Sequence, residues 1–137
     1  MANPQANPLQ PQFIKYLKKV RAGVDFIQTL DVYDLKKLES FMEQAKKEAA
    51  KVIAGIRLVG KEDARLQKEG KLSGNLIPKE WLDEIRDMDE EKALEAGKKR
   101  AVEMIKSIKD KGLANGVHIT AEQHEEVILE ILAAAGL

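Results

Sequence analysis

The sequence predicts an all-α protein, an elongated bundle of four to five helices with an extended, proline-rich N-terminal arm. Three observations predict it. A heptad seam holds from Leu35 to Val59, apolar residues recur at helical spacing on either side of it, and Thr120-Ala-Glu-Gln123 has the form of a capping box. The chain of 137 residues is of single-domain length. Charged residues make up 34% and aromatic residues only 4%, which favours solvated helices around an aliphatic core.

Residues 1–11 hold three of the four prolines, at 4, 8 and 11, and are read as an extended arm, not a strand. A first helix is expected from Pro11 or Gln12 to about Thr29. Its face is Phe13, Leu17, Val20, Val24 and Ile27, with Lys15, Lys18, Lys19 and Arg21 on the other side. Thr29 or Asp31 can cap a second helix. Leu35, Leu38, Met42, Ala45, Ala49, Val52, Ile56 and Val59 step by threes and fours, a pattern that predicts one long helix closed by Gly60. That helix would be roughly 40 Å long.

Lys61 to Glu69 allows another turn or two of helix before Gly70, Ser73, Gly74 and Asn75 break the pattern. Pro78 suits a first helical position, and Trp81, Leu82, Ile85 and Met88 make a short apolar face. Asp87 or Asp89 then caps a fresh helix, or one helix runs through; the sequence leaves both open. Leu94, Ala101, Ile105 and Ile108 continue the stripe. Gly97 lies inside it, where a close neighbour would demand a residue without a side chain, and Gly112 ends it. A two- or three-residue extended piece is allowed around His118. The last helix carries Val127, Ile128, Leu129, Ile131 and Leu132. The domain reading is thus an arm (1–11), an N-terminal helical hairpin with a long second helix (12–72), a linker (73–77) and a C-terminal helical subdomain (78–137).

Composition removes much of the usual chemistry. The chain has no Cys, so thiolate nucleophiles, disulfides and Cys-based metal sites are excluded. An EF-hand counted from Asp87 would need Gly and Glu where Lys92 and Lys98 stand. His118 and His124 are six apart and match no zinc spacing. Gly97-Lys-Lys-Arg100 lacks the upstream glycine and following Ser/Thr of a phosphate loop, and no Gly-x-Ser-x-Gly occurs. No catalytic residue, cofactor or metal site is therefore expected.

Twenty-three basic and twenty-three acidic residues cancel, which argues against bulk nucleic-acid coating. The charge is uneven, with a net +4 over residues 1–60 and −4 over 61–137. Two solvated helix faces account for this, with docking between charged surfaces, including those of further copies, as the other reading. Nucleic acid is a less favoured partner, approached through Lys15 to Arg21. A membrane is not expected. The most apolar stretch, Val127 to Leu137, contains Glu130 and falls short of the ~20 residues a span needs. The N-terminus lacks the apolar region of a signal peptide, so a cytoplasmic location is expected.

Three segments together resemble a known pattern: Glu-Lys-Ala-Leu-Glu-Ala-Gly-Lys-Lys-Arg-Ala-Val from Glu91, Asn-Gly-Val-His-Ile-Thr-Ala-Glu-Gln from Asn115, and Val-Ile-Leu-Glu-Ile-Leu from Val127. Residues 91–137 are similar to the soluble C-terminal region of the small phage proteins known as holins. The resemblance implies a phage setting. It does not carry hole formation, because no membrane-spanning helix is present. The leading functional expectation is a non-enzymatic structural or assembly subunit, a virion component in that setting. The alternative is a cytoplasmic adaptor or regulatory module. The interface candidates of the leading reading are Pro4 and Pro8 of the arm, Phe13 of the first helix, Leu38 and Met42 of the seam, Trp81, and Val127, Ile131 and Leu132 of the last helix.

Overall fold

The computed structural model describes residues 1–137. It is mixed α/β, which corrects the all-α expectation. The order of elements is α1 (Gln10–Arg21), β1 (Phe26–Asp31), α2 (Leu35–Ala45), β2 (Lys51–Arg57), α3 (Lys61–Lys68), α4 (Lys79–Ile85), α5 (Glu90–Lys111), β3 (Gly116–Thr120) and α6 (Ile128–Ala134). A single 3₁₀ turn, Glu125–Val127, precedes α6.

Both long predicted helices break where glycine or a turn lets the chain change direction. Gly23, at φ +99°, follows the end of α1. The Val, Phe, Ile and Thr residues after it then take the extended form such side chains favour. The expected second helix is cut at Ala45. Its second half, Lys51-Val-Ile-Ala-Gly-Ile-Arg57, is a strand. The first half of the seam survives as packing: Leu38, Phe41, Met42 and Ala45 are all buried. Asp34 caps α2, its carboxylate accepting from the backbone N–H of Lys36 at 2.9 Å.

The three strands are all parallel in the order β1-β2-β3, so every connection is a helical crossover. Ile27 faces Val52 across the first pair, and Arg57 faces Thr120 across the second. A bulge displaces the register between Gln28 and Asp31. The arm is more than an extended tail: Ala2 makes a one-residue parallel bridge to Thr29, on the outer side of β1.

One apolar cluster joins strand residues Ile27, Val52, Ala54 and Ile56 to Phe13 and Tyr16 of α1, to α2, to Ile105 and Ile108 of α5, and to Ile131 of α6. All four of these helices therefore cover the same face of the sheet. Phe13, Tyr16 and Phe41 pack ring to ring at 5.3–6.1 Å, and the Tyr16 hydroxyl donates to the Ala45 carbonyl at 3.2 Å.

The later elements follow local signals more closely. Asp89 caps α5 through the Lys92 N–H at 2.8 Å, so α4 and α5 are separate helices. Pro78 is the cap residue of α4, not its first helical residue. Gly112 closes α5 in the left-handed conformation. The Thr120 capping box does not form. Thr120 is the last residue of β3, Gln123 sits at φ +67°, and α6 begins without a side-chain cap.

Candidate functional site

Parallel strands converge with their carboxyl ends on one side, the side where α/β proteins hold ligands. Here those ends bring together Asp31 of β1, Arg57 of β2 and, in the first turn of α3, Asp63. The Arg57 guanidinium donates through Nε to Asp31 Oδ2 at 2.8 Å and through Nη1 to Asp63 Oδ1 at 3.0 Å. Asp63 uses its other oxygen to accept from the Gly60 N–H at 2.9 Å, which fixes the start of α3. Arg57 is only 8% exposed. Burial works against its charge, but the two carboxylates outweigh this and raise its pKa, so it stays protonated. Nη2 has no protein acceptor and remains available as a donor.

Tyr33, two residues beyond β1, is buried beside this triad, and its hydroxyl has no hydrogen-bond partner. Burial raises its pKa, and Asp31 raises it further. The nearby Arg57 guanidinium opposes the rise without reaching hydrogen-bond geometry. The group is therefore a phenol with an unused donor and acceptor. Its ring meets Trp81 edge to face at 5.2 Å. The Arg100 guanidinium lies 4.3 Å from the centre of the Trp81 ring and is paired with Glu84. Arg57, Trp81, Glu84, Gly97, Arg100 and Met104 line a narrow cleft here.

Polar staples hold the loops around this end. The Gln5 side chain accepts from the N–H groups of Tyr33 and Asp34 at 3.2 and 2.8 Å and donates to the Asp34 carbonyl at 3.1 Å. Asn75 donates to Asn3 Oδ1 at 2.9 Å and to the Asp31 carbonyl at 3.0 Å. Gln67 pairs with both backbone groups of Ile77. The wall is thus preorganised. Asp31 and Asp63 are held by Arg57 and Glu84 by Arg100, so it offers donors and aromatic surface and no free base. No cluster of His, Asp or Glu could hold a metal ion.

Of the residues expected at interfaces, Trp81 alone touches this site. Phe13, Leu38, Met42, Val127 and Ile131 are buried within the chain's own core. Pro4 is fully buried, Leu132 is half-buried and Pro8 is exposed. Sequence reasoning missed Asp31, Tyr33, Arg57 and Asp63. They lie on β1, the loop after it, β2 and α3, and form no motif. The nearest signal was an Arg ending the run Val52 to Ile56, which would mark a strand's carboxyl end once that run is read as a strand. His118, around which the sequence allowed a short extended piece, lies in β3 opposite Gly55.

This architecture defines a parallel βα protein with a polar and aromatic wall at its strand ends. The methylenetetrahydrofolate reductase family model matches residues 1–136, and the chain belongs to that family. A Caenorhabditis elegans protein described as a probable methylenetetrahydrofolate reductase (NADPH) is 29% identical over 143 residues, covering 98% of this chain. The chain spans 21% of that relative's length. The family match overturns the holin resemblance, and with it the phage and virion setting and the reading as a non-enzymatic structural subunit. It points to an oxidoreductase family. No helix is long and apolar enough to cross a membrane.

Proposed function

We propose that this chain forms part of the substrate-binding scaffold of an oxidoreductase that reduces a methylene-bearing reduced folate with electrons from NADPH. The observation that carries the reading is the buried, doubly anchored Arg57 at the strand ends of a chain in this family. In the proposed role, Arg57 Nη2 donates to a carbonyl or carboxylate of the ligand. The Tyr33 hydroxyl, buried and without a partner to give up, supplies a second polar contact once the cleft opens to it. Trp81, backed by Arg100, offers a flat surface for a ring. With both aspartates engaged, the wall binds and orients; it does not move a proton.

The single tryptophan provides the test. Titrating the chain with methylenetetrahydrofolate, and separately with NADPH, should change Trp81 fluorescence saturably for at least the folate. Arg57→Lys, which keeps the charge and loses the planar fork, should weaken that response without changing the circular dichroism. A folded chain whose fluorescence responds saturably to neither compound would refute the proposal.

A further inference from the structure

The cleft beside Arg57 encloses about 10 Å³, room for a single water and none for a flat ring. Arg57 is buried, and the Tyr33 hydroxyl is shut off from every partner. Buried polar groups are nearly always satisfied, so an orphaned hydroxyl is held in place at a cost. The element that closes the cleft over these groups is α4, whose Trp81 lies edge to face on Tyr33.

The attachments of α4 let it move as a unit. It has seven residues and no side-chain cap at its start. The chain is fixed on either side of it. The Gln67 side chain bonds both backbone groups of Ile77, and Asp89 caps α5. Between those anchors lie Pro78, α4 and the turn from Arg86 to Met88. Ile85 of α4 belongs to a small cluster with Tyr33, Val59, Ile77 and Ala93, separate from the main core, and Leu82 packs on that cluster. Trp81 is the one residue of α4 that also borders the main core. Lifting α4 therefore opens the small cluster and leaves the main one filled. The one side-chain bond from α4 to another element joins Glu84 to Arg100 of α5, and the same guanidinium lies over the Trp81 ring. Arg100 thus holds α4 by an ion pair and a cation–π contact, each weak where water reaches it.

We propose that α4 is a lid over the Arg57 cleft, hinged at Pro78 and at the Arg86–Met88 turn and latched by Arg100. Open, it frees Arg57 Nη2 and gives the Tyr33 hydroxyl a partner in water or ligand, which offsets part of the packing given up. Closed again, it sets Trp81 against the ring that has entered. The inference rests on the folate reading only for what enters; the opening belongs to the free chain and is measured there.

The two tyrosines report the opening with an internal control, since both are buried, Tyr33 under α4 and Tyr16 in the main core. N-acetylimidazole, which acetylates accessible phenols, should modify Tyr33 of the full chain ahead of Tyr16, as mapped by mass spectrometry. Arg100→Ala removes both contacts of the latch. It should speed Tyr33 acetylation about tenfold and leave Tyr16 and the circular dichroism as in the parent. Glu84→Gln keeps the cation–π contact and should give a smaller rise, about threefold. Global unfolding exposes both tyrosines together. Equal rates at the two positions, or a Tyr33 that reacts no faster in either variant, would overturn the lid. Saturating methylenetetrahydrofolate should slow Tyr33 acetylation in the parent. If Tyr33 opens as expected but the folate neither slows it nor changes Trp81 fluorescence, the lid stands and the folate reading falls. If the folate changes the fluorescence while Tyr33 reacts only in step with Tyr16, the lid falls and the folate reading stands.

Discussion

Gly97→Ala isolates the contact that joins the longest helix to the site. In an exposed helix the change would stabilise by about 1 kcal/mol through helix propensity. Gly97 is instead the middle of an Ala93–Gly97–Ala101 seam, buried at every position, which lets α5 lie against the end of β2. A Cβ at 97 would overlap the Val59 carbonyl oxygen and approach Leu58 Cδ1 to 3.2 Å. The obstacle is backbone and cannot rotate away. It is also held, since the Leu58 N–H donates to the Thr120 carbonyl at 2.8 Å. Relief therefore requires α5 to lift from the sheet, and overpacking of this sort costs up to about 3 kcal/mol. After the propensity gain, the expected net loss is about 2 kcal/mol, or roughly 6–10 °C in melting temperature. Urea titration followed by circular dichroism measures it, and the Trp81 near-ultraviolet signal should change too, because Trp81 and Gly97 line the same cleft. Gly116→Ala is the control: nothing lies within 4 Å of its added Cβ, and it should be neutral or slightly stabilising. A Gly97→Ala chain as stable as its parent would refute the close-approach argument.

Removing the cation of the triad with Arg57→Met leaves two largely buried carboxylates without their partner, and should cost about 3–5 kcal/mol in a denaturant melt. Tyr33→Phe deletes a buried hydroxyl that bonds to nothing, so it should be neutral or stabilise by about 1–3 kcal/mol while weakening any folate response. Because the folded state raises the Tyr33 pKa, the folded chain keeps a proton that the unfolded chain loses, and stability should fall as pH rises above about 10. Stability measured against pH should show a shallower alkaline fall in Tyr33→Phe; Tyr16, also raised by burial, keeps part of the slope. Asp89→Ala should cost about 1 kcal/mol through the lost cap of α5, whereas Thr120→Ala should lose no capping energy; thermal melts of the pair compare a cap that forms with one that does not.

Two features could be read from neighbouring residues alone. The Leu38–Met42–Ala45 face and the Gly112 stop each depend on residues within a few positions of one another. Their energetics are settled within a turn or two of chain, so the local pattern suffices. The strands are different. Val52 and Ile56 are four apart, a spacing that places them on one face of a helix and equally on one face of a strand. The heptad seam therefore ran through β2 without conflict. The density of Val and Ile on either side of Gly55 was the local hint of a strand, but periodicity could not decide it.

Tertiary structure decided the choice, because a parallel strand has no hydrogen-bonding partner nearby in sequence. β2 exists because β1 lies 26 residues before Arg57 at Asp31 and β3 lies beyond α5. The same separation hid the site. Asp31, Tyr33, Arg57 and Asp63 acquire their roles only when the strand ends are brought together and water is excluded from Arg57. Local sequence determined the buried face of α2 and the glycine stop of α5. Burial and long-range pairing determined which apolar runs became strands and which charges met.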